Sequence, residues 1–254
     1  MSTFTGLSDQ PPDVILVLVL HLASDPDRRL RDVINLAFAS KSLLSSVTGL
    51  DVFWTNWSRT VFGRPRETET VLPLWSGWSY FSGRMRRRFH LCRAMHALLF
   101  RHPAPTYLMS GHDIPTLLAA EAGHGVELPE CLWDLWRVYD GHSNKSSRGI
   151  FQGAHMLRLQ EALERLSSHR PGPCMGGPPG TDMEPGPLMP FTTGPPYYPC
   201  GFYTADPQGR VWLTSSKVSW YVADTLTEMV RLAMTGELAE KRGIVLAAST
   251  PVTG

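Results

Sequence analysis

Residues 125–141 read Gly125-Val126-Glu127-Leu128-Pro129-Glu130-Cys131-Leu132-Trp133-Asp134-Leu135-Trp136-Arg137-Val138-Tyr139-Asp140-Gly141, and their punctuation decides the fold. Pro129 has the fixed φ and missing N–H that suit the first turn of a helix. Leu132, Leu135 and Val138 follow at helical spacing, and Gly141 is placed to stop the segment. Ahead of this stretch the chain also reads helical, so that Glu121, Glu127 and Glu130 sit around a helix-turn-helix.

On the C-terminal side, ten of the 29 residues from Pro171 to Pro199 are proline and six are glycine. Proline removes a backbone donor and fixes φ, so this stretch reads as an extended loop inserted in a domain, unable to sustain a helix or a central strand. Pro178-Pro179 and Pro195-Pro196 also fit a polyproline ligand for an aromatic groove, without a flanking basic residue to orient it. Beyond the loop, residues 202–213 read as a hairpin with a glycine-containing turn at Asp206-Pro207-Gln208-Gly209. Residues 221–238 read as a closing amphipathic helix carrying Val222, Leu226, Met229, Val230 and Ala233.

On the N-terminal side three short helices are expected. The first starts at Ser8-Asp9 with Pro11-Pro12 in its opening turn. Its apolar run Val14–Leu20 is rich in β-branched residues and would also suit a strand. The second opens at Asp32, places Val33, Leu36, Ala37, Leu44 and Val47 on one side, and ends at Gly49. The third opens at Asp51, carries Phe53, Trp54, Trp57 and Val61, and stops at Gly63. A helical unit of this size is marginal alone, so a partner surface would help it.

The 254 residues suffice for one large domain or two small ones, at ~100–200 residues per domain. With 43% hydrophobic and 10% aromatic residues the chain can fill a core. Its 24 basic and 23 acidic residues leave a net charge of +1, too little to hold a polyanion, so no nucleic-acid partner is expected. The longest apolar run, the seven residues Val14–Leu20, is about a third of the ~20 residues of a membrane span, and no membrane partner is expected either. Without a basic n-region before that run, it does not read as a secretory signal. Cys92, Cys131, Cys174 and Cys200 are widely spaced, as in a reduced compartment, so a cytoplasmic or nuclear location is expected. The sequons at Asn56 and Asn144 then read as chance matches.

Tryptophans pair at i,i+3 in Trp54/Trp57, Trp75/Trp78 and Trp133/Trp136, which reads as core packing or as a protein-binding face. Arg84, Arg86, Arg87, Arg88 and Arg93 form the main charge cluster: a solvated helix face, a contact for an acidic partner, or an import-like patch.

No catalytic constellation is legible. The glycines at 176–180 lack the Lys-Ser/Thr and helix of a phosphate loop, and no G-x-S-x-G elbow occurs. Cys92 and His96 could share a helix face, but no second pair completes a metal set. His90, His96 and His102 rotate away from one another on a helix. Glu121, Glu127 and Glu130 read as solvated. No catalytic residue, metal, cofactor or small-molecule substrate is expected.

Taken together, residues 7–54 resemble the F-box, the helical motif that docks substrate receptors on the Skp-family adaptor of cullin–RING ubiquitin ligases. Leu7-Ser8-Asp9 with Pro11-Pro12-Asp13-Val14-Ile15 is similar to the family's L-P-x-E-[LI]-[LI] start, followed by Leu18, Leu20 and Leu22. Asp32-Val33-Ile34-Asn35-Leu36 is similar to its D-L-x-x-L element, Ala39-Ser40-Lys41 to V-[CS]-[KR], and Asp51-Val52-Phe53-Trp54 to D-x-x-L-W. The connection Ala23–Arg31 is longer than usual, and the leading proline is displaced. Residues 89–240 resemble a SUKH (Smi/Knr-like) domain, whose pattern runs from an amphipathic helix through G-x-x-L-P to a second helix ending at an aromatic-[ND]-G turn.

The resemblance implies an α+β chain: an F-box-like three-helix unit (1–63), a linker with the arginine cluster (64–88), and a SUKH-like domain with a mainly antiparallel sheet (89–254), its insertion at 171–199. It implies a non-enzymatic adaptor that binds the Skp-family adaptor, and the cullin through it, by Leu7, Pro12, Val14, Ile15, Leu18, Leu22, Leu36, Lys41 and Trp54. Trp136, Tyr139 and Asp140 are then candidates for contacting an unknown protein client. The alternative is a scaffold or interaction module built on the SUKH-like domain, outside ubiquitin transfer. An F-box would leave the apolar faces of residues 7–54 exposed, and a scaffold would cover them.

Overall fold

Leucine and valine four residues apart put two apolar groups on one helical face, and that is how the segment from Lys41 packs. A computed structural model describes residues 15, 41–50, 53, 54, 58, 77–101, 108–143, 149–168, 187–194, 201–215 and 218–238. Helix α1 (Lys41–Thr48) buries Leu43 and Val47. It ends where expected, with the Gly49 amide donating to Ser45 O at 3.0 Å. Trp54 folds back on it, its Nε1–H donating to Val47 O at 2.7 Å. The Trp54 ring meets Phe53 edge-on at 4.9 Å and lies 5.0 Å from Phe81.

The chain divides into two compact units, Met1–Arg86 and Arg87–Gly254, and the division falls within helix α2 (Gly77–Arg101). Residues 77–88 of the stretch expected as linker are helical, and Arg84-Met85-Arg86-Arg87-Arg88 follow Gly83 with no helix breaker. In the second unit α2 turns Leu91, Ala94, Met95 and Leu98 into the core.

Strand β1 (Leu108–Ser110) precedes helix α3 (Ile114–His124). Asp113 caps α3, accepting the Thr116 amide at 2.9 Å, and Pro115 occupies its first turn. Hydrogen bonding from Thr116 holds the Asp113 carboxyl below the ordinary carboxylate range. Gly125 ends α3 in the left-handed region at φ 62°, its N–H returning to Glu121 O. Leu128 then plugs the core, and its amide donates to Glu121 Oε1 at 2.8 Å. Helix α4 (Glu130–Val138) begins after Pro129, which caps it without a side-chain bond.

The expectation that Gly141 stops this helix is corrected. The helix ends at Val138, and Tyr139–His142 forms strand β2, antiparallel to β1. Gly141 sits within that strand at φ 75°, where a Cβ would meet Leu157 C at 2.5 Å. Glycine is required there twice, by backbone conformation and by space.

Helix α5 (Leu159–Ser168) follows, and then a four-stranded antiparallel sheet in the order β3-β4-β5-β6: β3 (Met189–Pro190), β4 (Gly201–Ala205), β5 (Val211–Ser215) and β6 (Ser219–Ala223). Strands β4 and β5 are buried along their whole length, so both faces of the sheet centre are covered. Helix α6 (Leu226–Thr235) closes the unit.

The proline-rich stretch was expected as an extended loop unable to sustain a central strand; its residues 188–192 are buried, and Met189–Pro190 form the edge strand β3, which that expectation leaves room for. Pro190 is tolerated because β3 is an edge strand, where a missing donor costs no ladder bond. Phe191 N donates to Tyr203 O at 3.1 Å, and Leu157 N donates to Phe191 O at 2.9 Å, which ties residues 157, 191 and 203 together. Residues 169–186 and 195–200 lie outside the described residues. The closing helix begins at Leu226 and not at 221, because Trp220, Tyr221 and Val222 are strand formers and Thr225 is the cap. Glu228 N donates to Thr225 Oγ1 at 3.1 Å, and Asp224 N to Glu228 Oε2 at 3.0 Å.

Candidate functional site

Of the three side chains expected to meet a client, two are used to hold the second unit together. Trp136 is fully buried, and its indole N–H donates to Leu157 O at 3.2 Å. Asp140 is buried as well; its Oδ1 accepts the Leu159 amide, the first of α5, at 2.9 Å and stands 2.8 Å from His112 Nε2. It therefore caps α5 from a distant strand. With Gly141 pressed against Leu157, the Trp136…Asp140-Gly141 signature staples α4 and β2 onto residues 157–159. That is its physical content, and Trp136 and Asp140 are not available to a client in this conformation. Tyr139 is half-buried, and burial pushes its phenol up.

The positions expected to bind the Skp-family adaptor are only partly described. Leu7, Pro12, Val14, Leu18, Leu22 and Leu36 lie outside the described residues. Lys41 opens α1. Ile15 and Trp54 are 1% and 0% exposed, so at these two positions the chain covers its own apolar surface. Trp54 packs with Val47, Phe53 and Phe81 of the first unit.

In the second unit a cleft of about 520 Å³ opens between α2, α4, the β4–β5 turn and the start of α6. From α2 come Arg87, His90 and Leu91; from α4 come Glu130, Cys131 and Asp134. Pro207, Gln208 and Gly209 form one rim, and Thr225, Leu226, Thr227 and Arg231 the other. Arg87 crosses to α4, its Nε and Nη2 donating to Glu130 Oε1 at 3.1 and 2.8 Å. Leu91 and Leu226 are buried, an apolar floor beneath polar walls.

The β4–β5 turn is rigid for a reason legible in its chemistry. Asp206, fully buried, accepts from Arg210 N at 2.9 Å, Arg210 Nε at 2.6 Å and Trp212 Nε1 at 3.1 Å. The Arg210 guanidinium also lies over the Trp212 ring at 5.7 Å. Gly209 takes φ 82°, and a Cβ there would lie 3.5 Å from Cys131 Sγ, so the turn rests on α4. Ahead of α6, Tyr221 Oη donates to Asp224 Oδ1 at 2.5 Å, and burial together with that carboxylate pushes the phenol up, keeping it protonated.

Among the described residues no three His, Cys, Asp or Glu side chains converge on a metal position, and no helix is long and apolar enough to cross a membrane. Cys92, paired in sequence with His96, has its thiol pushed up by burial, which disfavours the thiolate. The cleft walls carry both charges and a fixed rim, chemistry suited to holding a peptide or side chain. Sequence reading found Arg87 and the glycine turn but not their meeting. The Thr225-x-x-Glu228 cap was the available signal for the second rim.

No protein-family model matches the chain, and no curated protein matches it either.

Proposed function

We propose that the chain is the non-catalytic substrate-recognition adaptor of an SCF-type ubiquitin ligase. The first unit docks on the Skp-family adaptor, and on the cullin through it, while the second presents a protein client for ubiquitin transfer by other subunits. One observation carries this reading: the chain divides at Arg86/Arg87, with all F-box-like elements on one side and all SUKH-like elements on the other. Two modules with separate binding tasks are what such an adaptor needs. The client face would be the cleft and its surroundings, since Trp136 and Asp140 are committed inside.

The burial of Ile15 and Trp54 favours a second reading, a scaffold whose N-terminal helices serve only their own core. Co-expression of the full chain with a Skp-family adaptor separates the two. The adaptor reading expects a complex stable through gel filtration at ~1 μM, lost in a Leu18→Asp variant whose thermal melt is unchanged. A folded chain that elutes apart from the adaptor at ~10 μM sinks that reading and leaves the scaffold.

A further inference from the structure

Helix α2 shows two opposite faces within the second unit. Leu91, Ala94, Met95 and Leu98 enter the core, while Phe89, Arg93, His96 and Phe100 are exposed. The exposed four are spaced i, i+4, i+7 and i+11, which places them within about 60° of one another along roughly 16 Å of helix. This is a two-heptad seam of the kind one helix offers another. Phe89 is 61% and Phe100 86% exposed, at opposite ends of the seam, with two basic residues between. The 25 residues of α2 contain six arginines, two histidines and no acidic residue. Arg84 bonds Tyr80 and Arg87 bonds Glu130, whereas Arg93 and Arg101 have no ion-pair partner among the described residues.

We infer that this face is a docking surface for an acidic amphipathic helix of a protein partner, with glutamate or aspartate opposite Arg93 and His96 and apolar residues opposite Phe89 and Phe100. Charge complementarity selects this occupant. A second copy of the chain would bring Arg93 and His96 against their own counterparts, with no acid on either helix to neutralise them. Two exposed phenylalanines need apolar cover that a nucleic-acid backbone does not supply. The surface lies on the face of α2 opposite Leu91, apart from the cleft, and it rests on the adaptor reading only where its partner is taken to be the client.

The probe is a fluorescein-labelled helical peptide of about 18 residues with leucine at its outer seam positions and glutamate at the inner ones, titrated with the full chain. A lysine-for-glutamate twin is the control. The acidic peptide is expected to bind in the micromolar range at low salt, and the twin at least about tenfold more weakly. Arg93→Glu reverses that preference, and the Phe89→Ser/Phe100→Ser double variant weakens the acidic peptide by about tenfold or more, with melts unchanged because all three side chains are exposed. Equal binding of both peptides, no binding of either at ~500 μM, or variants that bind as the parent does would each overturn the surface. So would a dimer of the parent chain that the double variant abolishes, since the face would then belong to a second copy. Adaptor binding is read separately: its loss with peptide binding retained sinks the ligase reading and leaves the docking surface standing.

Discussion

Trp133 and Trp136 are one turn apart on α4 and both buried, yet their indole nitrogens differ in what they do. Trp136 Nε1 donates to Leu157 O at 3.2 Å, while Trp133 Nε1 is buried with no acceptor among the described residues. Removing a satisfied donor leaves Leu157 O orphaned inside the unit; removing an unsatisfied one relieves a cost already present. Replacing either ring by phenylalanine loses similar volume. Trp136→Phe should therefore destabilise the protein more than Trp133→Phe, by about 1–2 kcal/mol, as read from urea unfolding at equal m-values. Equal losses would mean that packing alone sets the role of both rings. Sequence spacing could pair these tryptophans as core, but could not say which of them holds a partner strand, because the acceptor comes from 21 residues further on.

At the scale of elements, the β4–β5 turn shows how one buried carboxylate organises a cleft wall. Asp206 is the shared acceptor for Arg210 Nε and Trp212 Nε1, so Asp206→Ala removes the carboxylate from both donors at once. Breaking a buried ion pair from one side costs about 3–5 kcal/mol, and that loss is expected in denaturant titrations. Asp206→Asn, which keeps an acceptor oxygen, should lose less. A cost under ~1 kcal/mol for the alanine variant would show that the turn is held by Gly209 and strand pairing alone. The turn itself was legible, since Asp-Pro-Gln-Gly between two apolar runs has one reading. So was the helix start at Pro129. Strands β1, β2 and β6 were not, because they are three to five residues long and their signal merges with that of the helices beside them. Strand β3 was hidden by its prolines. The cleft was half legible for a related reason: its walls come from four elements, and sequence shows residues one element at a time.

At the scale of the molecule, a net charge of +1 conceals an uneven distribution: a 25-residue helix of six arginines and no acid is balanced by acidic residues elsewhere. Composition led to the expectation of no polyanion partner, but it says nothing of a local basic face, because an average carries no position. The same lesson applies to stability. The core of the second unit draws on residues from Leu91 to Leu238, whereas Leu43, Val47, Phe53, Trp54 and Phe81 are buried in the first. Each unit has its own apolar interior, so a defect in one interior need not open the other. Gly141→Ala supplies such a defect, forcing a Cβ to within 2.6 Å of Leu157 O and Arg158 N from a left-handed backbone position. Hydrogen exchange of the variant should show faster exchange, by about 100-fold or more, at amides of α4, β4 and β5, corresponding to about 3 kcal/mol of lost local stability. Amides of α1, such as Val47, should exchange at the parent rate. If α1 accelerates to the same extent, the two interiors unfold as one, and the modular assignment on which the adaptor reading depends fails with them.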